Sequence, residues 1–312
     1  MPETSKARAY AALAAAGCLW GTGFLFGKWA LRELSVGHMV FYRFLFATIG
    51  FAPITIRGMR RRETRIARGD LSLFFLAALL GIPVQSIIQF AGLARTTVSH
   101  ASLMVGNLPV LLAAGAAAFA HERVTARRWV ALVASTLGAG LIAVGASQGE
   151  AGAAASLAGD LLVAVSLLAG VGWILASQRL MMAGRNYPPA YTSAYVISIG
   201  TVMLAVWVLL TEGPPGIHLS VLTWISVIAP GIFATTVTNY LWNWGLVRVP
   251  ASKAGVFINL EPVVGAILGV ALLGDVLGPY AVFGGVLVIG AAIYVAISDD
   301  HPVAESRRAE AA

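Results

Sequence analysis

AGLARTTVSHASLMVGNLPV (91–110) and WGLVRVPASKAGVFINLEPV (244–263) are one segment written twice, at a constant offset of 153 residues. Gly92, Leu93, Arg95, Ser99, Ala101 and Pro109 meet Gly245, Leu246, Arg248, Ser252, Ala254 and Pro262. The same offset, without a gap, lays Gly17 on Gly170, Trp20 on Trp173 and Tyr42 on Tyr195. A register that holds over so much chain means two copies of one unit. If each unit crosses a membrane an odd number of times, the copies are inverted. That architecture places two alternative gates around one site.

Composition points to a bilayer. Hydrophobic residues make up 58% of the chain and charged residues 11%, and the mean hydropathy is +0.82. Apolar runs separated by short polar or Pro/Gly breaks predict ten spans: about 9–30, 38–56, 71–94, 98–120, 128–146, 157–180, 190–211, 219–246, 251–273 and 277–297. Each approaches the roughly 20 residues that a helix needs to cross about 30 Å of hydrocarbon. The alternating ten-residue strands of an outer-membrane barrel are absent from the sequence. The expected fold is therefore an all-α integral membrane protein, with ten transmembrane helices in two inverted five-helix repeats. The first repeat covers 9–146 and the second 157–297, with a cytoplasmic tail at 298–312.

Charge placement tests the inversion independently. With the N-terminus inside, 17 of the 21 Lys and Arg fall on cytoplasmic segments. Lys28, Arg32 and Arg95 lie outside, and Arg43 falls within the second span. The loop 57–68 holds six arginines, whereas its counterpart 210–221 has no Lys or Arg. HERVTARR (121–128) corresponds to GDVLGPYA (274–281), which also lacks Lys and Arg. One structural loop changes charge because it changes sides. The expected location is a bacterial-type inner membrane, with both termini cytoplasmic. The net charge of +7 is thus topogenic and faces lipid, and nucleic acid is not an expected partner. The single cysteine, Cys18, rules out an internal disulfide. AAGC (15–18) imitates a lipoprotein signal, but its apolar region is short, so the first helix is expected to stay.

CLWGTGFLFGKWAL (18–31), FYRFLFA (41–47), the repeated R-T/V-x-x-S/A-A segment and Leu-Gly-Asp (273–275) resemble the EamA-type branch of the drug/metabolite transporter superfamily. The resemblance runs over about 9–297 and appears in both halves. It implies ten helices, cytoplasmic termini and a central substrate pathway. It also implies a small metabolite as substrate, an amino acid or related solute by default, moved outward by alternating access.

Polar residues in spans are costly, so they should face a cavity or another helix. Gln85 and Gln89 share one face of the third span, and Asn239, Trp242 and Asn243 keep helical spacing in the eighth. Trp20 and Phe24 line up on the first span, as do Trp173 and Ser177 on the sixth. Tyr42 and Tyr195 continue these faces, and Asn107 joins the set. Together with Arg43 they form the expected substrate-binding residues, interhelical packing being the alternative for each. Arg43 either snorkels to the outer interface or meets a substrate carboxylate. Arg95 either caps its helix or serves the same anion. Glu261 is the one carboxylate deep in the hydrocarbon, a candidate ion-coupling group that could carry a proton. Pro262 should break the helix beside it, and the alternative role of Glu261 is to cap that break. The first half has Leu108–Pro109 there, so the break is repeated and the acid is not.

Small-xxx-small pairs such as Gly17–Gly21 let helices approach closely, and Gly284–Gly285 is a helix contact or a homodimer face. No Walker A sequence, zinc-site spacing or nucleophile elbow is present, so neither catalytic residues nor cofactors nor metals are expected. An intramembrane enzyme would need a second carboxylate or a nucleophile–base pair. A non-transporting scaffold is the other alternative to a secondary transporter.

Overall fold

The computed structural model describes residues 3–61, 64–96, 101, 104–119, 124–146, 157–182, 184–268, 271–272 and 278–297. The expected tail (298–312), Leu-Gly-Asp (273–275) and most of the R-T/V-x-x-S/A-A copy at 95–101 lie outside these residues. So does the start of 121–128. The first half runs α1 (Glu3–Gly21), α2 (Gly23–Ala30), α3 (Val36–Arg60), α4 (Leu71–Leu79), a π-turn (Leu80–Val84), α5 (Gln85–Leu93), α6 (Leu108–Phe119) and α7 (Ala126–Ala146). The second half runs α8 (Leu157–Met181), α9 (Pro189–Thr211), α10 (Val221–Gly231), a π-turn (Ile232–Val237) and α11 (Thr238–Leu246). It continues through α12 (Ala251–Gly255), a 3₁₀ turn (Val256–Asn259), α13 (Leu260–Leu268) and α14 (Pro279–Ile297). No strand occurs among the described residues.

Six helical stretches are long and apolar enough to cross a membrane: Lys6–Ala30, Val36–Arg60, Arg68–Leu93, Leu157–Met181, Pro189–Thr211 and Val221–Leu246. The other four expected spans hold α6, α7, α12 with α13, and α14. Large apolar side chains face outward, Leu210 at 81% exposure among them, as a lipid-facing surface requires. The protein is an all-helical, multi-pass membrane protein.

The sequence offset reappears in the backbone. The starts of α5, α11, α7 and α14 are paired at 153 residues, and both π-turns end at paired positions. Contacts are reciprocal across the halves. Helix α1 packs on α11, and its counterpart α8 packs on α5; α3 packs on α10, and α9 on α4. Helices α3 and α9 pack on each other, where the Thr48 hydroxyl donates to that of Thr201, its own counterpart, at 2.8 Å. The approximate two-fold axis passes there.

Both ends of the bundle are strapped between halves. Helix α3 starts with Ser35, whose hydroxyl caps the His38 N–H and donates to Glu212. His38 Nε2 donates to the Gly213 carbonyl at 3.2 Å, and the Ser220 N–H donates to Glu33 at 2.9 Å. Hydrogen bonds from Ser220, its side chain foremost, hold the Glu33 carboxyl below the usual carboxylate range. At the other end the Ala67 N–H, counterpart of Ser220, donates to the Tyr187 hydroxyl at 2.9 Å, which itself donates to Asp70. Arg185 pairs with Asp70.

The first span, Lys6–Ala30, holds one irregular turn at Thr22, whose hydroxyl donates to the Leu19 carbonyl at 2.8 Å. One expectation changes. The break in the ninth span precedes Pro262 rather than occurring at it. The 3₁₀ turn Val256–Asn259 absorbs the interruption, and Pro262 sits in the first turn of α13, where no N–H is needed. Gly17 and Gly21 do allow close approach: a Cβ on Gly17 would run into the Phe257 carbonyl oxygen, and one on Gly21 would lie 2.6 Å from that of Glu261. Gly17→Ala is therefore expected to destabilise the protein by about 2 kcal/mol, read as a lower melting midpoint in detergent. An unchanged midpoint would contradict the close packing of α1 on the 3₁₀ turn. Gly284 is used within the chain, its carbonyl facing Gly138, whereas a Cβ added at Gly285 would meet nothing within 4 Å.

Candidate functional site

A cavity of about 100 Å³ lies at the axis between the halves. Seven pairs of counterpart positions line it: Trp20 and Trp173, Phe44 and Ile197, Gly81 and Ala234, Ile82 and Thr235, Ser86 and Asn239, Val105 and Ile258, Leu108 and Glu261. The scaffold is two-fold, but its chemistry is not. Arg43 and Glu261 both face the cavity, and their counterparts are Val196 and Leu108. Each charge feels the other across this space.

The π-turns explain how polar groups arise here. An extra residue in a helical turn leaves carbonyls without their usual partners. At Gly231–Val237 side chains add to the irregular backbone bonds, the Thr238 N–H being shared between the Phe233 and Thr235 carbonyls. Asn239 Nδ2 donates to the Thr235 carbonyl at 2.8 Å, Thr238 to Phe233 at 2.9 Å and Thr236 to Gly231 at 3.2 Å. Arg43 completes the set. Its Nε donates to the Thr235 hydroxyl at 3.0 Å and its Nη2 to the Ala234 carbonyl at 3.5 Å. Its guanidinium lies 5.6 Å from the centre of the Phe90 ring. Gly23 lies beside it, where an added Cβ would sit 3.4 Å from Nη1. Arg43 is thus turned inward and held, which removes the snorkelling alternative.

Gln85 reaches the cavity because Gly170 has no side chain; a Cβ there would lie 2.8 Å from its Nε2. Its Oε1 is buried without a hydrogen-bond partner among the described residues. Gly81 likewise admits the Trp173 ring, which a Cβ would approach to 2.5 Å. The cavity therefore offers a fixed cationic donor, a carboxylate and an orphan carbonyl acceptor between two indole rings.

Of the expected site residues, Trp20, Phe24, Arg43, Gln85, Gln89, Trp173, Asn239 and Glu261 line this cavity. Six others do not. The Tyr42 hydroxyl donates to the Gly216 carbonyl at 2.9 Å, at the strapped end of the bundle. Asn107 is exposed and donates to the Met104 carbonyl at 3.2 Å. Ser177 is buried away from the cavity. Tyr195 packs edge-on to Phe74 and lines a second cavity. Trp242 is fully buried behind Trp20, ring centres 5.1 Å apart. Asn243 donates to the Ser193 hydroxyl at 2.8 Å and so ties α11 to α9. Arg95 donates to the Ala91 carbonyl at 2.9 Å, capping its own helix. Thr235 and Phe90, the partners of Arg43, were not among the expected site residues. Thr235 was legible as part of the polar face of the eighth span, but Phe90 carried no signal that separates it from ordinary packing.

The profile of the EamA-like transporter family matches residues 7–144 and 157–297. Over 271 residues the chain is 27% identical to an uncharacterised transporter of Bacillus subtilis, YyaM, covering 86% of this chain and 87% of that one. An uncharacterised transporter of Archaeoglobus fulgidus is 23% identical over 286 residues, with 91% and 95% covered. A crystal structure of a protein 18% identical in sequence superposes with a TM-score of 0.74 over 97% of this chain and 98% of that one, so the fold is shared. With both halves matched, the chain belongs to the EamA-like transporter family.

Proposed function

We propose that this transporter moves a small zwitterionic solute of the amino-acid class outward across a bacterial-type inner membrane, by alternating access around the axial cavity. The observation that carries the reading is the asymmetric equipment of a symmetric cavity: Arg43, the unpartnered Gln85 Oε1 and Glu261 between Trp20 and Trp173. Arg43 suits a carboxylate, because a planar guanidinium can give a paired set of donors. The Gln85 Oε1 suits an ammonium. The indole rings cover the apolar part of the solute. The two strapped ends supply the alternating gates, one opening while the other holds. Glu261 carries the proton that drives accumulation.

A thermal-shift screen in detergent tests the substrate class. α-Amino acids are expected to raise the melting midpoint, whereas the matching amines without a carboxylate and acids without an ammonium are not. A shift by the amines alone would remove the role of Arg43. Topology is checked separately. A reporter fused within 57–68 should behave as cytoplasmic and one within 212–218 as periplasmic. Finding both on one side would sink the inverted arrangement.

A further inference from the structure

The second cavity, about 470 Å³, lies between α3 and α9 at the end of the bundle that bears the arginine-rich loop. Its walls are Thr55, Met59, Ile66, Tyr195, Ile199 and Val202, with Arg65 at its end. We propose that this groove binds an anionic phospholipid of the leaflet that meets loop 57–68, with an acyl chain between the helices and the phosphate at Arg65.

Three observations support it. The groove opens to the lipid-facing surface: Val202 is 65% exposed and Met59 53%, beside the exposed Ile56 and Val206. Arg65 is fixed there, its Nε donating to the Met59 carbonyl at 2.8 Å, and Arg57, Arg60, Arg61 and Arg68 share its loop. Basic clusters at the end of an apolar crevice between membrane helices fit a phosphate headgroup with its chain. Tyr195, buried at 5% exposure, closes the inner wall of the groove, so the opening is toward the lipid side.

The opposite end of the bundle shows that the fold does not leave this crevice empty by necessity. There the counterpart tyrosine, Tyr42, donates to the Gly216 carbonyl, and Trp224 packs edge-on to Tyr42 and Phe46 at 5.2 and 6.2 Å. The counterpart of Trp224 is Leu71, which is 39% exposed. Loop 210–221 carries no Lys or Arg. One crevice is filled by an indole and lacks basic charge; the other is open and basic. A free phosphate would satisfy the arginines but leave the apolar walls uncovered, so the occupant is a lipid.

Native mass spectrometry of the delipidated full chain tests this, with phosphatidylglycerol, phosphatidylcholine of the same acyl chains, and glycerol 3-phosphate as the headgroup alone. The parent should retain phosphatidylglycerol about fivefold better than phosphatidylcholine, the ratio expected for one basic residue at the surface. Arg65→Gln should bring the two lipids level. Val202→Trp should reduce both by plugging the crevice, and Met59→Trp replaces it if the first variant melts early. Equal retention of the two lipids by the parent would overturn the proposal, as would retention indifferent to these substitutions. Binding of glycerol 3-phosphate as tight as that of the lipid would also overturn it, making this a site for soluble anions.

Discussion

Arg43→Gln is expected to raise the apparent KM for a carboxylate-bearing solute about a hundredfold, measured as initial uptake into proteoliposomes. The guanidinium is already oriented by Thr235 and Ala234, so no ordering cost offsets its hydrogen bonds to a carboxylate. Removing a charge-assisted contact costs about 3 kcal/mol, which corresponds to roughly two decades in affinity. Arg43→Lys keeps the charge but loses the planar fork, and should fall between parent and glutamine. Removing Arg43 also leaves Glu261 without its counter-charge. The double variant Arg43→Gln with Glu261→Gln therefore separates a folding defect from a binding defect. If the double variant inserts and melts like the parent but transports no better than the single one, the loss belongs to binding. An unchanged KM in well-folded Arg43→Gln would place the anion elsewhere.

Glu261→Gln is expected to abolish accumulation driven by a pH gradient while sparing exchange at equal pH. One charge crossing 100 mV is worth about 2.3 kcal/mol, enough for roughly a fiftyfold gradient. Among the described residues lining the axial cavity Glu261 is the only carboxylate, which makes it the group there to carry that proton. The amide keeps the size and the hydrogen-bonding reach of the acid at the first turn of α13. Structural loss is thereby kept apart from loss of coupling. A glutamine variant that accumulates solute like the parent would leave Glu261 a structural role and make the protein an exchanger or facilitator.

The repeat was legible because a register of 153 residues survives in Gly, Pro and Trp positions, and the backbone carries it through to paired helix starts and paired π-turns. Trp20, Trp173, Gln85, Gln89 and Asn239 were legible as cavity positions because polar and indole groups recur at helical spacing in matched spans. The same reasoning misplaced Tyr42 and Tyr195. Arg43 and Ile197, one and two residues away, do line the axial cavity, so Tyr42 and Tyr195 lie at a similar depth but on other faces of α3 and α9. Trp242 and Asn243 were misplaced for another reason. They lie one turn of α11 beyond Asn239, where Trp20 packs on the Trp242 indole and Ser193 takes the Asn243 amide. Arg43 was undecided in the sequence because its partners, the Thr235 hydroxyl and the Ala234 carbonyl, are presented to it only once the π-turn at Ile232–Val237 has formed.

Counterflow in proteoliposomes tests most directly whether the axial cavity is an alternately exposed site for an amino-acid-like solute. Vesicles loaded with unlabelled solute and diluted into a trace of labelled solute should show a transient, saturable overshoot of label. The overshoot should persist in Glu261→Gln and vanish in Arg43→Gln. No saturable flux with any solute that shifts the melting midpoint, or an overshoot of full height in Arg43→Gln, would contradict the account.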